Sequence, residues 1–324
     1  MNIRPRRLRN GSGMRNMVRE TRMSPDSLIL PLFVKEGKGV KEEIEALSGH
    51  FYYSKDTIKY GIEHGLENNI NSFLLFGLPD EKDELGSGAY DEDGVIQEAI
   101  RSIKKEYPET QIITDVCMCE YTSHGHCGII EDEKVKNDET LEYLAKIALS
   151  HIEAGADIVA PSDMMDGRVG VIRKRLDEKG YRDKPIMSYS VKYSSAFYGP
   201  FREVAKSAPS FGDRKSYQMD YHNVREAIKE AQLDIGEGAD ILMVKPAMSY
   251  LDVIKAVKET TNYPVCAYNV SGEYAMIKAA ANAGMIDEYA VVCEVATSIF
   301  RAGADILISY HAPEIANAIM KGDI

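Results

Sequence analysis

Three cysteines fall within eleven positions, in the segment Asp115-Val-Cys117-Met-Cys119-Glu-Tyr-Thr-Ser-His124-Gly-His126-Cys127. Alternation along an extended chain puts Cys117 and Cys119 on one side, and the loop behind them is long enough to return Cys127 beside them. Three thiolates suit zinc. A three-ligand set leaves a fourth position for water or substrate, as catalytic zinc sites do. On the residues alone two other readings stay open: buried free thiols, or a closed structural site completed by His124 or His126. Cys266 and Cys293 each lie in an apolar run and read as core packing.

Two lysines close apolar runs, Lys192 in MSYSVKY and Lys245 in ILMVKPA. On adjacent strands each ammonium disfavours protonation of the other, and burial acts in the same direction. An amine freed in this way can attack a ketone and form an imine, whose protonated form withdraws electrons from the neighbouring carbon. Arg202, Arg214, Ser271 and Tyr310 follow later runs, where guanidinium forks and hydroxyls could grip carboxylates. Arg202 and Arg214 read equally as solvated residues of a polar loop. Asp163 and Asp115 could each act as a base, orient an amine, or cap local backbone.

These residues need a scaffold that gathers run ends. Eight short apolar runs serve as candidate strands: 28–34, 72–76, 111–118, 157–160, 185–191, 240–244, 264–270 and 305–309. Their continuous apolar character suits parallel strands buried on both faces. Helix candidates lie between them at 55–68, 95–106, 137–154, 221–237 and 250–260, so the alternation implies βα units. The phrase Gly-Ala-Asp-Ile recurs in EAGADIVAPSD, GEGADILMVKP and RAGADILISYH, each time with glycine at a helix end and Ala-Asp leading into a strand. The expected fold is α/β, a (β/α)8 TIM barrel over residues 25–324 preceded by an N-terminal arm, residues 1–24. An open doubly wound sheet would need a glycine-rich phosphate loop; the nearest cluster, GSGAY from Gly86, lacks the spacing and reads as a mobile loop. Long segments after the second strand (77–93) and the fifth (192–220) lie on the expected catalytic face and are lid candidates.

The chain has 324 residues and a net charge of -12, which argues against a nucleic-acid surface and favours small substrates. The arm is the exception, with Arg4, Arg6, Arg7, Arg9, Arg15, Arg19 and Arg22 either solvated or docked on a neighbouring subunit. No run has the length of a membrane span, and no apolar signal-peptide core is found. Five cysteines are an odd number for a disulfide framework, so a reducing cytoplasm is expected.

Taken together, DVCMCEYTSHGHCG, PSDMMDGR, SYSVKYSSAFYGPFR, GDRKSYQMD, LMVKPAMSYLD and AYNVSGEYAM resemble the motif set of the porphobilinogen synthase (5-aminolaevulinate dehydratase) family, in its zinc-binding form. The likeness runs over nearly the whole chain, with RPRRLR, MVRET and PLFV matching the arm and first strand. It implies a lyase that condenses two 5-aminolaevulinate molecules to porphobilinogen with loss of two waters, in tetrapyrrole and haem biosynthesis. By this resemblance Lys245 is the Schiff-base nucleophile and Lys192 its partner. Ser271 and Tyr310 bind the carboxylate on the propionate side, and Arg202 and Arg214 that on the acetate side, with Lys215 adjacent to the second position. Cys117, Cys119 and Cys127 are the zinc ligands, and Glu230 binds an allosteric magnesium. The family's octamer assembles through the arm. Apart from the resemblance, a class I aldolase-type barrel with structural cysteines and a zinc-stabilised binding protein both remain open.

Overall fold

The computed structural model describes residues 2–324. Each of the eight apolar runs forms a strand: β1 (Leu28–Lys35), β2 (Ser72–Leu78), β3 (Gln111–Val116), β4 (Ile158–Pro161), β5 (Met187–Lys192), β6 (Ile241–Lys245), β7 (Val265–Asn269) and β8 (Ile306–Ser309). All eight are parallel. They pair in the spatial order β4-β3-β2-β1-β8-β7-β6-β5, and β4 meets β5 through a single bridge, Val159 to Ile186. The sheet is therefore a nearly closed barrel ringed by helices. The predicted helices at 95–106 and 137–154 occupy Val95–Glu106 and Asn137–Ala154.

The repeated Gly-Ala-Asp phrase has a structural use that periodicity did not reveal. Gly155, Gly238 and Gly303 end their helices at φ of 112°, 103° and 120°, where a side chain would be strained. The aspartate two residues on then grips the foot of the preceding strand. Asp157 Oδ2 accepts from Ile112 N–H, Asp240 Oδ2 from Ile186 N–H and Asp305 Oδ2 from Val265 N–H, each at 2.8 Å. The aspartate N–H groups answer by donating to the Ile112, Ile186 and Val265 carbonyls. Each copy is a two-bond clamp that sets the register between neighbouring strands at the end of the barrel opposite the site.

Several sequence expectations shift for local reasons. The third run ends as a strand at Val116, because residues 117–122 turn on bonds from Tyr121 and Thr122 N–H to Met118 O. Cys117 and Cys119 therefore converge across a turn and not along a strand. GSGAY is not a loose loop: Ser87–Ala89 form a 3-10 turn, and the Asp83 carboxylate accepts from Leu85 and Ser87 N–H. Gln97 also donates to Ala89 O at 3.0 Å. The second long segment carries the helix Gly199–Val204 and returns across the barrel mouth, where Met219 bridges Tyr193. Two antiparallel pairs fall outside the eight-strand count, Lys41–Glu43 with Phe51–Tyr53 and Ile129–Glu131 with Lys134–Lys136.

One buried ion pair ties the wall together. Arg168 Nη1 donates to Asp234 Oδ1 at 2.9 Å, and its Nη2 reaches Ser188 Oγ and Tyr189 O on β5. Removing one partner leaves a buried charge unpaired, a loss of about 3–5 kcal/mol. A clamp aspartate is worth less, because only a charge-assisted bond is lost. Asp240→Ala is expected to lower unfolding free energy by roughly 1.5–3 kcal/mol in denaturant titration, with turnover per folded molecule unchanged.

Candidate active site

Lys192 and Lys245 end β5 and β6 and face each other in register. They are 5% and 6% exposed, which for two like charges is decisive. Both cannot hold a full charge cheaply in a dry site. Burial, together with the field of Lys192, lowers Lys245 to about 7. Lys192 moves the other way: burial opposes its charge, but Cys127, Cys117, Cys119 and Asp115 outweigh that and raise it. Mutual lowering, the expectation from the sequence, thus becomes a division of labour. Lys192 Nζ donates to Ser162 O at the end of β4. Lys245 Nζ lies in an aromatic cage, 4.5 Å from the ring centre of Tyr268 and 5.1–5.2 Å from those of Tyr189, Tyr198 and Phe201.

The three cysteines are buried beside this pair, with their Sγ atoms within 4.8 Å of one another. Cys117 and Cys119 are 3.4 Å apart. Tetrahedral zinc with Zn–S bonds of about 2.3 Å spaces sulfurs roughly 3.8 Å apart, so the triplet fits a bound ion. Burial raises Cys117, whereas bonds from Cys117 and Cys119 lower Cys127, so the Cys127 thiolate is favoured over that of Cys117. His124 and His126 do not complete a fourth position. His124 Nε2 is 3.3 Å from Glu84 O, and the two nitrogens of His126 meet Phe211 O and Tyr217 OH at 3.0 Å. Their work is to hold the lid.

Asp115 is raised to about 7 by burial and by Glu120, and accepts from Ser162 Oγ at 3.0 Å. Glu120, raised to about 8 by burial and Cys119, lines the same cavity. Asp163 is turned elsewhere: Oδ1 accepts from Met165 N–H at 2.7 Å, and the residue does not line the cavity. Its second oxygen is buried without a partner, and burial raises it to about 6.

Arg202 and Arg214 both enter the site from the long segment after β5. Arg214 is 5% exposed and spends Nη2 on Gly125 O and Ser207 O, while Lys215 points outward to Asp213. The geometry thus separates the two neighbours. Arg202 is half-buried, its Nε lacks a partner, and burial with Arg214 lowers its pKa. Ser271 Oγ accepts from Phe201 N–H of the lid at 3.0 Å, and Tyr310 OH is 3.2 Å from Tyr268 OH. Glu230 is apart from all of these, half-buried on the helix Arg225–Glu237 in an open cleft of about 720 Å³. With the lid down the inner cavity is about 20 Å³, too small for an organic substrate. Tyr198, Phe201, Arg202 and Arg214 of residues 193–220 close it on the side of the mouth.

Sequence reasoning missed the tyrosine and phenylalanine cage, because aromatics in strands read as core. It also passed over Glu120 and Ser162. Adjacency to Cys119 and Asp163 was the available signal.

A family model described as delta-aminolevulinic acid dehydratase matches residues 2–318. The delta-aminolevulinic acid dehydratase of Archaeoglobus fulgidus is 54% identical over 317 residues, covering 98% of each chain. That of Bacillus subtilis is 51% identical over 313 residues, covering 97% of each. A Toxoplasma gondii enzyme of the same name, solved in complex with its reaction product porphobilinogen, superposes with a TM-score of 0.95 at 42% identity, over 98% of this chain and 91% of that one. The aldolase-type and non-catalytic readings fall away at such coverage. The chain belongs to the delta-aminolevulinic acid dehydratase family and is a hydro-lyase of tetrapyrrole biosynthesis that condenses two 5-aminolaevulinate molecules to porphobilinogen.

Proposed function

We propose that Lys245 carries this condensation as the imine-forming nucleophile, beside a zinc ion held by Cys117, Cys119 and Cys127. The observation that carries the reading is the in-register, buried lysine pair of which one member is lowered to about 7. The neutral Lys245 amine attacks the keto carbon of one substrate, and water leaves as the imine forms. Lys192, kept cationic and bound to Ser162 O, is placed to donate a proton to that leaving oxygen. The second substrate adds through one carbon–carbon and one carbon–nitrogen bond, a second water leaves, and Lys245 is released as the pyrrole closes. Asp115 is the group for proton transfer at the substrate carbons. Asp163, outside the cavity, acts by holding the turn after β4. When bound, zinc acts as a Lewis acid toward a substrate oxygen.

Ser271 and Tyr310 serve the carboxylate on the propionate side; Arg202 and Arg214 serve the acetate side. The spare Arg202 Nε and the lid bond at Ser271 support a link between carboxylate binding and lid closure.

Glu230 is the proposed ligand of an activating magnesium. It lies one helical turn before Asp234, whose Arg168 and Ser188 contacts reach β5, so a cation there has a packed route to the lysine strand. Residues 1–24 form an arm with seven arginines against one glutamate, and Ile3, Leu8 and Met17 are exposed on it. Such an arm suits docking on the acidic body of a second copy, supporting a homo-octamer. Five unpaired cysteines favour a reducing cytoplasm, and no helix among the described residues is long and apolar enough to cross a membrane.

Borohydride in the presence of 5-aminolaevulinate is expected to trap a covalent adduct at Lys245, and Lys245→Met to lose it with at least about 10⁴-fold of activity. Because the ammonium form is inert, kcat/KM should fall about tenfold per pH unit below roughly pH 6 and level off above roughly pH 8; a flat acid limb would overturn the assignment. Cys119→Ala should lower zinc affinity by at least about 100-fold in equilibrium dialysis while leaving the circular dichroism unchanged. Global unfolding would mark the zinc as structural. Glu230→Gln should abolish magnesium stimulation and leave turnover without magnesium unchanged.

A further inference from the structure

A second cluster of ligand-type side chains lies outside the active site, where the chain leaves β8. His311 follows Tyr310 and immediately precedes the helix Ala312–Lys321; Glu314 is in the first turn of that helix, and Glu288 opens the helix Glu288–Ala302. One ring nitrogen of His311 and one carboxylate oxygen from each glutamate lie within 4.8 Å of one another. The imidazole is 1% exposed, packs on Tyr274 with ring centres 4.3 Å apart, and has no hydrogen-bond partner at either nitrogen. Glu314 Oε2 is buried and unpartnered as well. Buried polar groups are nearly always satisfied, so unpartnered atoms on two neighbouring side chains of this cluster ask for something to meet them.

We infer that His311, Glu314 and Glu288 form a second metal site, taking a first-row divalent ion of the zinc type. One imidazole and two carboxylates are donors such ions accept, and three protein ligands leave room for water. A cavity of about 80 Å³ lined by His50, Lys278, Tyr274 and Glu314 adjoins the cluster and gives that water a place. Burial keeps His311 unprotonated, lowered to about 3, so its lone pair is available. Lys278 is the resident cation: its Nζ pairs with Glu288 Oε1 at 2.5 Å, and its charge also acts on His311, Glu314 and His50. A metal therefore binds in competition with this ammonium. The occupied site would join β8 to two helices directly behind Tyr310.

Cobalt(II) titration of the full-length protein, after one equivalent of zinc, tests this. A further equivalent of cobalt should bind with visible ligand-field bands and no sulfur-to-metal charge transfer; that charge-transfer band reports the cysteine site separately. Glu314→Gln should weaken the added equivalent at least tenfold, and Lys278→Met, which removes the competing ammonium, should tighten it about tenfold. A purely structural role for Lys278 predicts loss of stability with no gain in affinity. The inference is overturned if no second equivalent binds, or if its affinity is the same in wild type, Glu314→Gln and Lys278→Met. His311→Ala is a further ligand deletion, and the other two variants decide the matter should it fail to fold.

Discussion

The structure turns on two ammonium-bearing side chains buried side by side at the ends of β5 and β6. Their repulsion is tolerable only because the surroundings are uneven. The thiol cluster and Asp115 outweigh burial at Lys192 and favour its charge, while Lys245 sits in an aromatic cage where desolvation dominates. One amine is thereby held charged and the other is biased toward its neutral form, on paired strands. Two identical groups acquire opposite protonation preferences from environment alone.

That asymmetry depends on keeping water out, which is the work of the segment after β5. Its Tyr198 and Phe201 form two walls of the cage, and Arg214 fastens it to the cysteine loop through Gly125 O. His126 binds it from below through Phe211 O and Tyr217 OH. The loop that presents the thiols is thus also the seat of the lid. Gly125 makes the contact possible, since its φ is +70° and a Cβ there would stand 2.5 Å from Ala208 O. The cysteine cluster and the lid share one small piece of backbone.

The opposite end of the barrel is built for register. The three Gly-Ala-Asp clamps tie the feet of three neighbouring strand pairs, and the buried Arg168–Asp234 pair ties the Glu230 helix to β5. A one-residue slip would reverse the facing of every side chain on a strand. Between the Asp240 clamp and the mouth, a one-residue register shift between Leu242 and Val244 brings Lys245 opposite Lys192.

The amino-acid sequence by itself determined the architecture, because parallel strands buried on both faces leave continuous apolar runs and the intervening helices leave 3.6-residue periodicity. It also determined the chemistry available: thiols close in sequence, and lysines at run ends. Local spacing carries both kinds of information. What only the tertiary structure decided is which groups meet. The cysteines converge through a turn that strand alternation did not predict; Asp163 faces away from the cavity; His124 and His126 hold the lid. The cage around Lys245 comes from β5, β7 and the lid, and the His311 cluster from β8 and two helices. Such contacts depend on packing between elements far apart in the chain, and no periodicity within one element encodes them.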